Sequence, residues 1–369
     1  MLCILNRPNR APVVKWSREK LFKSARINPE VPMSRNYKII IPMAGWGSRM
    51  RPLTWSRPKP LLPLAGRTVL DYSLHQFDSL PGLEHAEFVF IISPNQGDQI
   101  QKYMQEVHPD TTAHFVVQQE MRGQAEALWQ AREFLDGPVL IAFSDTLIET
   151  DLAFLPAEPM DAVAWVKPMD DPRRFGVIEV DARGIATRLV EKPTSLDNNM
   201  VVVGFYYFKE ASLLLAAIVE QMKRGKSLKG EYFLADAINI YIEQGGRMRR
   251  EMVSTWLDAG IPTAVLETNR YLLGKGLPIG AQADLPAGVA VIPPVYIAPG
   301  ARVESSVIGP HVSIGKDAIL KNVVISNAIV DARTIIENKI IEGSLIGCDV
   351  TYTGQADQVN LGDNAQVQV

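Results

Sequence analysis

The chain predicts a mixed, mostly parallel α/β sheet followed by a short left-handed parallel β-helix, and three observations carry that expectation. A short β-branched run, Lys38-Ile39-Ile40-Ile41-Pro42-Met43, ends in the glycine turn Ala44-Gly45-Trp46-Gly47. Strand-like and helix-like patterns then alternate as far as Gly274. Beyond a Gly/Pro-rich stretch from Gly274 to Gly288, aliphatic residues recur every six positions at Val291, Ile297 and Val303, and again at Ile308 and Ile314.

The first strand reads as buried on both faces, and a glycine turn at its end is where α/β folds bind phosphates. Further strands of that type are expected at Glu87–Ser93, His114–Gln118, Pro138–Phe143, Ala162–Val166 and Val201–Phe208. Helical patterns at Val69–Leu80, Gln124–Phe134 and Ala211–Met222 lie between them, which argues for helices on both faces of the sheet. In the tail, an aliphatic residue at a fixed place in each hexad stacks inside a three-sided coil. The spacing slips after Ile319, although Ile325, Ile335, Ile340 and Ile346 continue the composition. The alternative for the tail is a small antiparallel sandwich.

A length of 369 residues suggests two or so domains at roughly 150 residues each. The expected division is a basic N-terminal extension (1–36), a catalytic-type α/β domain (37–275), a linker (276–290) and the β-helix with its tail (291–369). Residues 1–32 hold seven basic side chains against two acidic ones, leaving 31 basic and 39 acidic over the rest. Met33 stands just before the first strand, so the physiological start is expected there, with a basic tail as the alternative.

The net charge of −3 provides no global field for nucleic acid or anionic membrane, so an anionic ligand has to be held by a local site. No apolar run reaches the roughly 18 residues of a membrane span. Cys3 and Cys348 make neither a disulfide framework nor a metal cluster, which suits a cytoplasmic protein. The five histidines, His75, His85, His108, His114 and His311, show no metal-binding spacing.

The richest stretch is Gly45-Trp46-Gly47-Ser48-Arg49-Met50-Arg51-Pro52-Leu53-Thr54, followed by Arg57-Pro58-Lys59-Pro60-Leu61. Met50 occupies the place of the third glycine of a dinucleotide fingerprint, and no Walker motif occurs. Two glycines admit backbone N–H groups to an anion, while Arg49, Arg51 and Lys59 set positive charge beside them. The prolines stiffen the loop and lower the entropy lost on closing over a ligand.

This stretch resembles the signature of sugar-1-phosphate nucleotidyltransferases, G-x-G-[TS]-R-[LM]-x-P-L-T followed by P-K-P-[LM], with Ala44 and Trp46 as departures. The similarity runs from about Tyr37 to Tyr352. It implies a Rossmann-like nucleotidyltransferase domain that needs Mg²⁺. Arg49 and Lys59 would be catalytic, and Gly45, Gly47, Ser48, Gln118 and Gly123 would bind the nucleotide. Gly176 in Phe175-Gly176-Val177, Glu191 and Lys192 in Glu191-Lys192-Pro193, and Gly204 would bind the sugar phosphate. Gly230-Glu231 and Ala235-Asp236 resemble weaker sugar-site elements. Asp145 at a strand end and Asp258 in Trp256-Leu257-Asp258-Ala259-Gly260 would hold the metal. Taken singly, each has an ordinary reading: a tight turn, a strand end, a helix cap or a solvated charged turn.

The reaction implied is attack by a sugar-1-phosphate oxygen on the α-phosphorus of a nucleoside triphosphate. The nucleophile is already anionic, so positioning and charge neutralisation suffice. Pro58-Lys59-Pro60-Leu61 resembles the thymidylyl and guanylyl branches, which makes dTTP with glucose 1-phosphate the expected pair and GTP with mannose 1-phosphate the alternative. A non-catalytic nucleotide-sugar-binding regulator is expected to lose a metal ligand or the signature arginine, and none is lost here. Acyl transfer on the coil has only His311 as a base. Open β-helix coils favour a homo-oligomer.

Overall fold

Ile39, Ile40 and Ile41 are all fully buried, so the strand Lys38–Pro42 has both faces covered and lies in the interior of its sheet. The computed structural model describes residues 36–227, 230–276 and 288–355. The expected extension (1–36) and linker (276–290), and the choice of Met33 as start, fall almost wholly outside them.

The large sheet runs Ala186–Glu191, Gly176–Val180, Met200–Phe208, Val139–Ala142, Lys38–Pro42, Glu87–Ile92 and Ala113–Val117. The strand Ala162–Pro168 pairs with Met200–Phe208 and with Met248–Met252. The four strands from Val139–Ala142 to Ala113–Val117 are parallel, while Met200–Phe208 runs antiparallel to its neighbours. One face is covered by the helices Gln124–Gln130, Ala211–Lys223 and Leu234–Glu243, whose Leu128, Leu214 and Ile238 are fully buried. The other receives Val69–His75 and Gly97–Val107 through Leu70, Ile100 and Met104.

Two helices are shorter than their patterns. The first ends at His75 rather than Leu80, because residues 76–80 close into turns that bury Phe77 and Leu80. The second ends at Gln130 and resumes as a 3₁₀ turn over Arg132–Phe134. At the start of the first, Thr68 Oγ accepts from Asp71 N–H (3.2 Å) while Asp71 Oδ2 accepts from Thr68 N–H (2.7 Å), a reciprocal cap.

The tail is a three-sided parallel β-helix. One side stacks Val295–Ile297, Val312–Ile314, Ala328–Val330 and Leu345–Ile346. A second stacks Arg302–Glu304 on the first halves of Ile319–Ser326 and Ile335–Glu342 and then on Thr351–Thr353. The third stacks Ala290–Val291 and Val307–Ile308 on their second halves. Val307 pairs with Val324, 17 positions on, and Ile319 with Ile335, 16 positions on. Three full hexads would need 18, so one side is short and the hexad register slips. Ile340 accordingly points outward, 85% exposed, while Ile336 and Ile341 fill the core instead. Corners are taken by Asn322, Asn327 and Asn338 at positive φ, a conformation asparagine tolerates well.

A fourth core joins coil and α/β domain. The helix Pro262–Gly274 packs Val265, Leu266 and Leu273 against Met50, Leu62 and Leu64 from the signature region and Ile329 from the coil. Its fully buried Asn269 accepts at Oδ1 from Ala65 N–H (3.0 Å) and from Ser313 Oγ of the coil (2.7 Å).

Candidate active site

The strand Val139–Ala142 delivers Asp145 to its C-terminal end, and Thr255–Asp258 delivers Asp258 beside it, antiparallel to Thr146–Glu149. Ala259 N–H donates to Asp145 C=O (3.0 Å), which locks the two turns together. Thr268 Oγ donates to Asp258 C=O (2.9 Å) and Gly260 N–H to Asp258 Oδ1 (2.6 Å). The carboxylates surround Gly260: a Cβ there would lie 2.8 Å from Asp258 Oδ1, 3.3 Å from Asp145 Oδ2 and 3.5 Å from Arg49 Nη2. A side chain at 260 would therefore fill the space on which these three groups converge.

Lys59 Nζ donates to Asp145 Oδ2 at 2.5 Å. Burial works against the charge on Asp145, but Lys59 and then Arg49 outweigh it and hold the carboxyl below the ordinary range. Asp258 goes the other way: burial, then the charge of Asp145, push it up against the opposing pull of Gly260 N–H, Lys59 and Arg49. Two carboxylates with no third acidic or imidazole ligand among the described residues suit an octahedral cation that takes its remaining oxygens from phosphates and water.

Arg49 and Ser48 are exposed on the turn Ser48–Met50, and Gly47 precedes it at φ 58°. A Cβ on Gly47 would press on Thr54, whose Oγ donates to Gly47 C=O (2.8 Å). Gly45 is exposed with open space around it. This loop therefore offers backbone and cation to a ligand, as its composition suggests.

Gln118 and Gly123 form a second group. Gln118 is 4% exposed; its Nε2 donates to Glu126 Oε2 (2.6 Å) and to Gly123 C=O (3.3 Å). Both partners are acceptors, so the amide is oriented with Oε1 away from them. Gly123, at φ 101°, lies so close to Tyr232 that a Cβ would come 2.5 Å from its C=O.

The third group is Gly176, Glu191 and Lys192. Gly176 and Glu191 pair across the hairpin, and a Cβ on Gly176 would be 3.2 Å from Glu191 Oε2. Burial raises the Glu191 carboxyl, Lys192 opposes and Asp236 adds to the rise. Lys192, at φ 49°, sets Nζ 4.9 Å over the Phe233 ring. The groups are linked, because Phe233 follows the Tyr232 that contacts Gly123, and Phe175 meets Trp256 edge-on at 5.1 Å.

Gly204 stands apart. It is buried at φ 82°, where a Cβ would be 2.6 Å from Phe143 Cδ2, and its C=O accepts from Phe143 N–H (3.0 Å). The atoms nearest that Cβ belong to Phe143 and Thr146, on either side of Asp145. Two features escaped the sequence reading. Glu126 orients Gln118, and Trp256 has its buried Nε1 without a hydrogen-bond partner among the described residues. Strand alternation puts Trp256 on the face of Asp258, a signal that was available.

Among the described residues no helix is long and apolar enough to cross a membrane. The family model described as nucleotidyl transferase matches residues 38–275. The chain is 32% identical over 237 residues to a bifunctional protein GlmU of Methanocaldococcus jannaschii, a match over 64% of this chain and 54% of that protein. It thus spans about half the length of that relative. It is 27% identical over 361 residues to a glucose-1-phosphate thymidylyltransferase of Streptomyces griseus, covering 90% of this chain and 99% of that one. A UDP-glucose pyrophosphorylase crystallised with UDP-glucose shares the fold at 18% identity and a TM-score of 0.55, over 65% of this chain and 100% of that one. With a family match across well over half its length, on a sheet whose strand ends gather Arg49, Lys59, Asp145 and Asp258, the chain belongs to the nucleotidyl transferase family.

Proposed function

We propose that the protein transfers a nucleotidyl group from a nucleoside triphosphate to a sugar 1-phosphate, releasing pyrophosphate, with Mg²⁺ as cofactor. The observation that carries this reading is the convergence of Asp145 and Asp258 around Gly260, with Lys59 and Arg49 on the same spot. Such a set has charge to neutralise phosphates, which fits a reaction whose nucleophile is an anionic phosphate oxygen and which needs no nucleophile from the protein.

In this reading Gly45, Gly47 and Ser48 lead backbone N–H groups to the triphosphate. Arg49 and Lys59 neutralise the charge that builds on the leaving pyrophosphate. Gln118 and Gly123 seat the base, while Glu191 accepts from sugar hydroxyls and Lys192 holds the sugar phosphate in line. Asp145 and Asp258 would hold Mg²⁺, which when bound supplies Lewis-acid neutralisation of the α-phosphate. Gly204 serves by shaping the Asp145 turn.

The preferred pair is dTTP with glucose 1-phosphate, supported by the near full-length match to a thymidylyltransferase against the half-length match to GlmU. GTP with mannose 1-phosphate is the second pair. Pyrophosphate release across five nucleoside triphosphates and four sugar 1-phosphates tests this, with Asp145→Ala as control. Turnover on dTTP and glucose 1-phosphate that vanishes in the control is expected. Turnover on another pair corrects the specificity, and silence across the grid overturns the enzyme.

A further inference from the structure

Between the loop that leads to Lys59 and the coil lies a cavity of about 230 Å³, lined by Met50, Leu53, Ile329, Leu345 and Cys348 among others. An unfilled gap forfeits dispersion contacts, so the packing of loop on coil is incomplete here. An ion pair spans the two: Arg57 Nη1 donates to Asp331 Oδ2 at 2.5 Å, across 274 positions of sequence. The side chains are 25% and 12% exposed.

Asp331 is a fixed anchor. Its N–H donates to Ile346 C=O on the next coil (2.9 Å), and its Oδ1 accepts from Ala332 N–H (2.7 Å). From Arg57 the chain reaches Lys59 through Pro58, at φ −66°, and enters the 3₁₀ turn Lys59–Leu61 with Pro60 inside it. Each proline removes a backbone torsion, so a constraint on Arg57 is passed to Lys59 with little loss. The far end of the loop is tied to the same coil by Ala65 N–H on Asn269, itself bonded to Ser313.

We propose that Asp331 is a positioning residue for nucleotidyl transfer: by holding Arg57, it fixes where Lys59 presents its ammonium to the triphosphate. The β-helix is then part of the catalytic apparatus through this contact. The inference rests on the reading of Lys59 given above. Asp331 is largely buried, so loss of the pair also costs stability, and the comparison of the two Lys59 backgrounds separates that cost from an effect on Lys59.

The test is the steady-state kinetics of pyrophosphate release for Asp331→Asn and Arg57→Gln, each in the wild-type and in the Lys59→Ala background. In the wild-type background each lowers kcat about tenfold, with KM for the sugar 1-phosphate changed less than about twofold. In the Lys59→Ala background each costs less than about twofold, since a residue acting only through Lys59 has nothing left to position. Equal losses in both backgrounds, or no loss in the wild type, overturn the proposal. A Lys59→Ala enzyme with wild-type kcat overturns the reading of Lys59 and the proposal with it. If Asp331→Asn does not fold, the partner change Arg57→Gln and the exchanged pair Arg57→Asp with Asp331→Arg decide the matter. Recovery of kcat in the exchanged pair over either single change is expected, and failure to recover counts against it.

Discussion

Asp258 lies opposite Thr146 in a two-stranded ladder, which brings its carboxylate beside that of Asp145 and makes each charge oppose the other. The strain of that arrangement falls on Asp258, since Lys59 and Arg49 already hold Asp145 in its charged form. Asp258→Asn keeps the oxygen that accepts from Gly260 N–H while removing the repulsion. Its metal-free form is expected to melt higher, by about 2 °C for roughly 1 kcal/mol, while turnover falls at least about 100-fold. Thermal melts in chelator and pyrophosphate release with Mg²⁺ check the two halves, and a lower melting point would show that the carboxylates are not in conflict.

Lys59→Ala removes the cation bonded to Asp145. A fall in kcat of about 10²–10³-fold is expected. Because Lys59 lowers the Asp145 carboxyl, its loss moves that carboxyl upward, so the residual activity declines at a higher pH on the acid side than in the wild type. A pH–rate profile of both proteins measures this; an acid limb that stays in place separates Asp145 ionisation from the rate.

Glu126→Gln frees the Gln118 amide to rotate, because the buried acceptor that orients it becomes a group able to donate. The expected result is a KM for the preferred nucleoside triphosphate raised about tenfold, near 1.4 kcal/mol, with kcat within about twofold and weaker discrimination among bases. Competition between triphosphates in one assay reads the discrimination directly. Unchanged preference would mean that Gln118 does not read the base.

Asp71 links the cap of the first helix to Tyr103 and His108, the latter at 2.8 Å. Burial opposes its charge, yet the bonds from His108, Thr68 and Tyr103 hold the carboxyl below its ordinary value. A depressed folded value means the stabilisation is complete above the unfolded value of about 3.9 and is lost as pH falls through the folded one. Melting temperature should therefore fall with pH below about 4, and Asp71→Asn should lose about 1 kcal/mol at pH 7 and show a shallower acid decline. Parallel melts from pH 7 to pH 3 provide the comparison.

Much of the fold follows from local pattern. The triple isoleucine of the first strand marks an interior position, and Gly123 and Gly47 stand where positive φ or close approach requires glycine. Local pattern fails where distant contacts decide. Phe77 and Leu80 continue a helical stripe in sequence but are buried by turns, and Ile340 continues the tail's composition while facing outward. The close approach of Phe143 to Gly204 likewise leaves no mark in the local sequence. The pairing of Arg57 with Asp331 has no local trace, because both are ordinary charged residues until the coil returns beside the loop.

Thr268 and Asn269 are consecutive on one helix, and the first holds the backbone of Asp258 while the second holds Ala65 and the coil's Ser313. The family-matched portion ends at residue 275, only six residues beyond Asn269. A chimaera spliced at that seam would set a fully buried amide against a foreign coil, leaving its acceptor without the Ser313 hydroxyl. Specificity grafted from a relative therefore travels intact only when helix and coil are inherited as one piece.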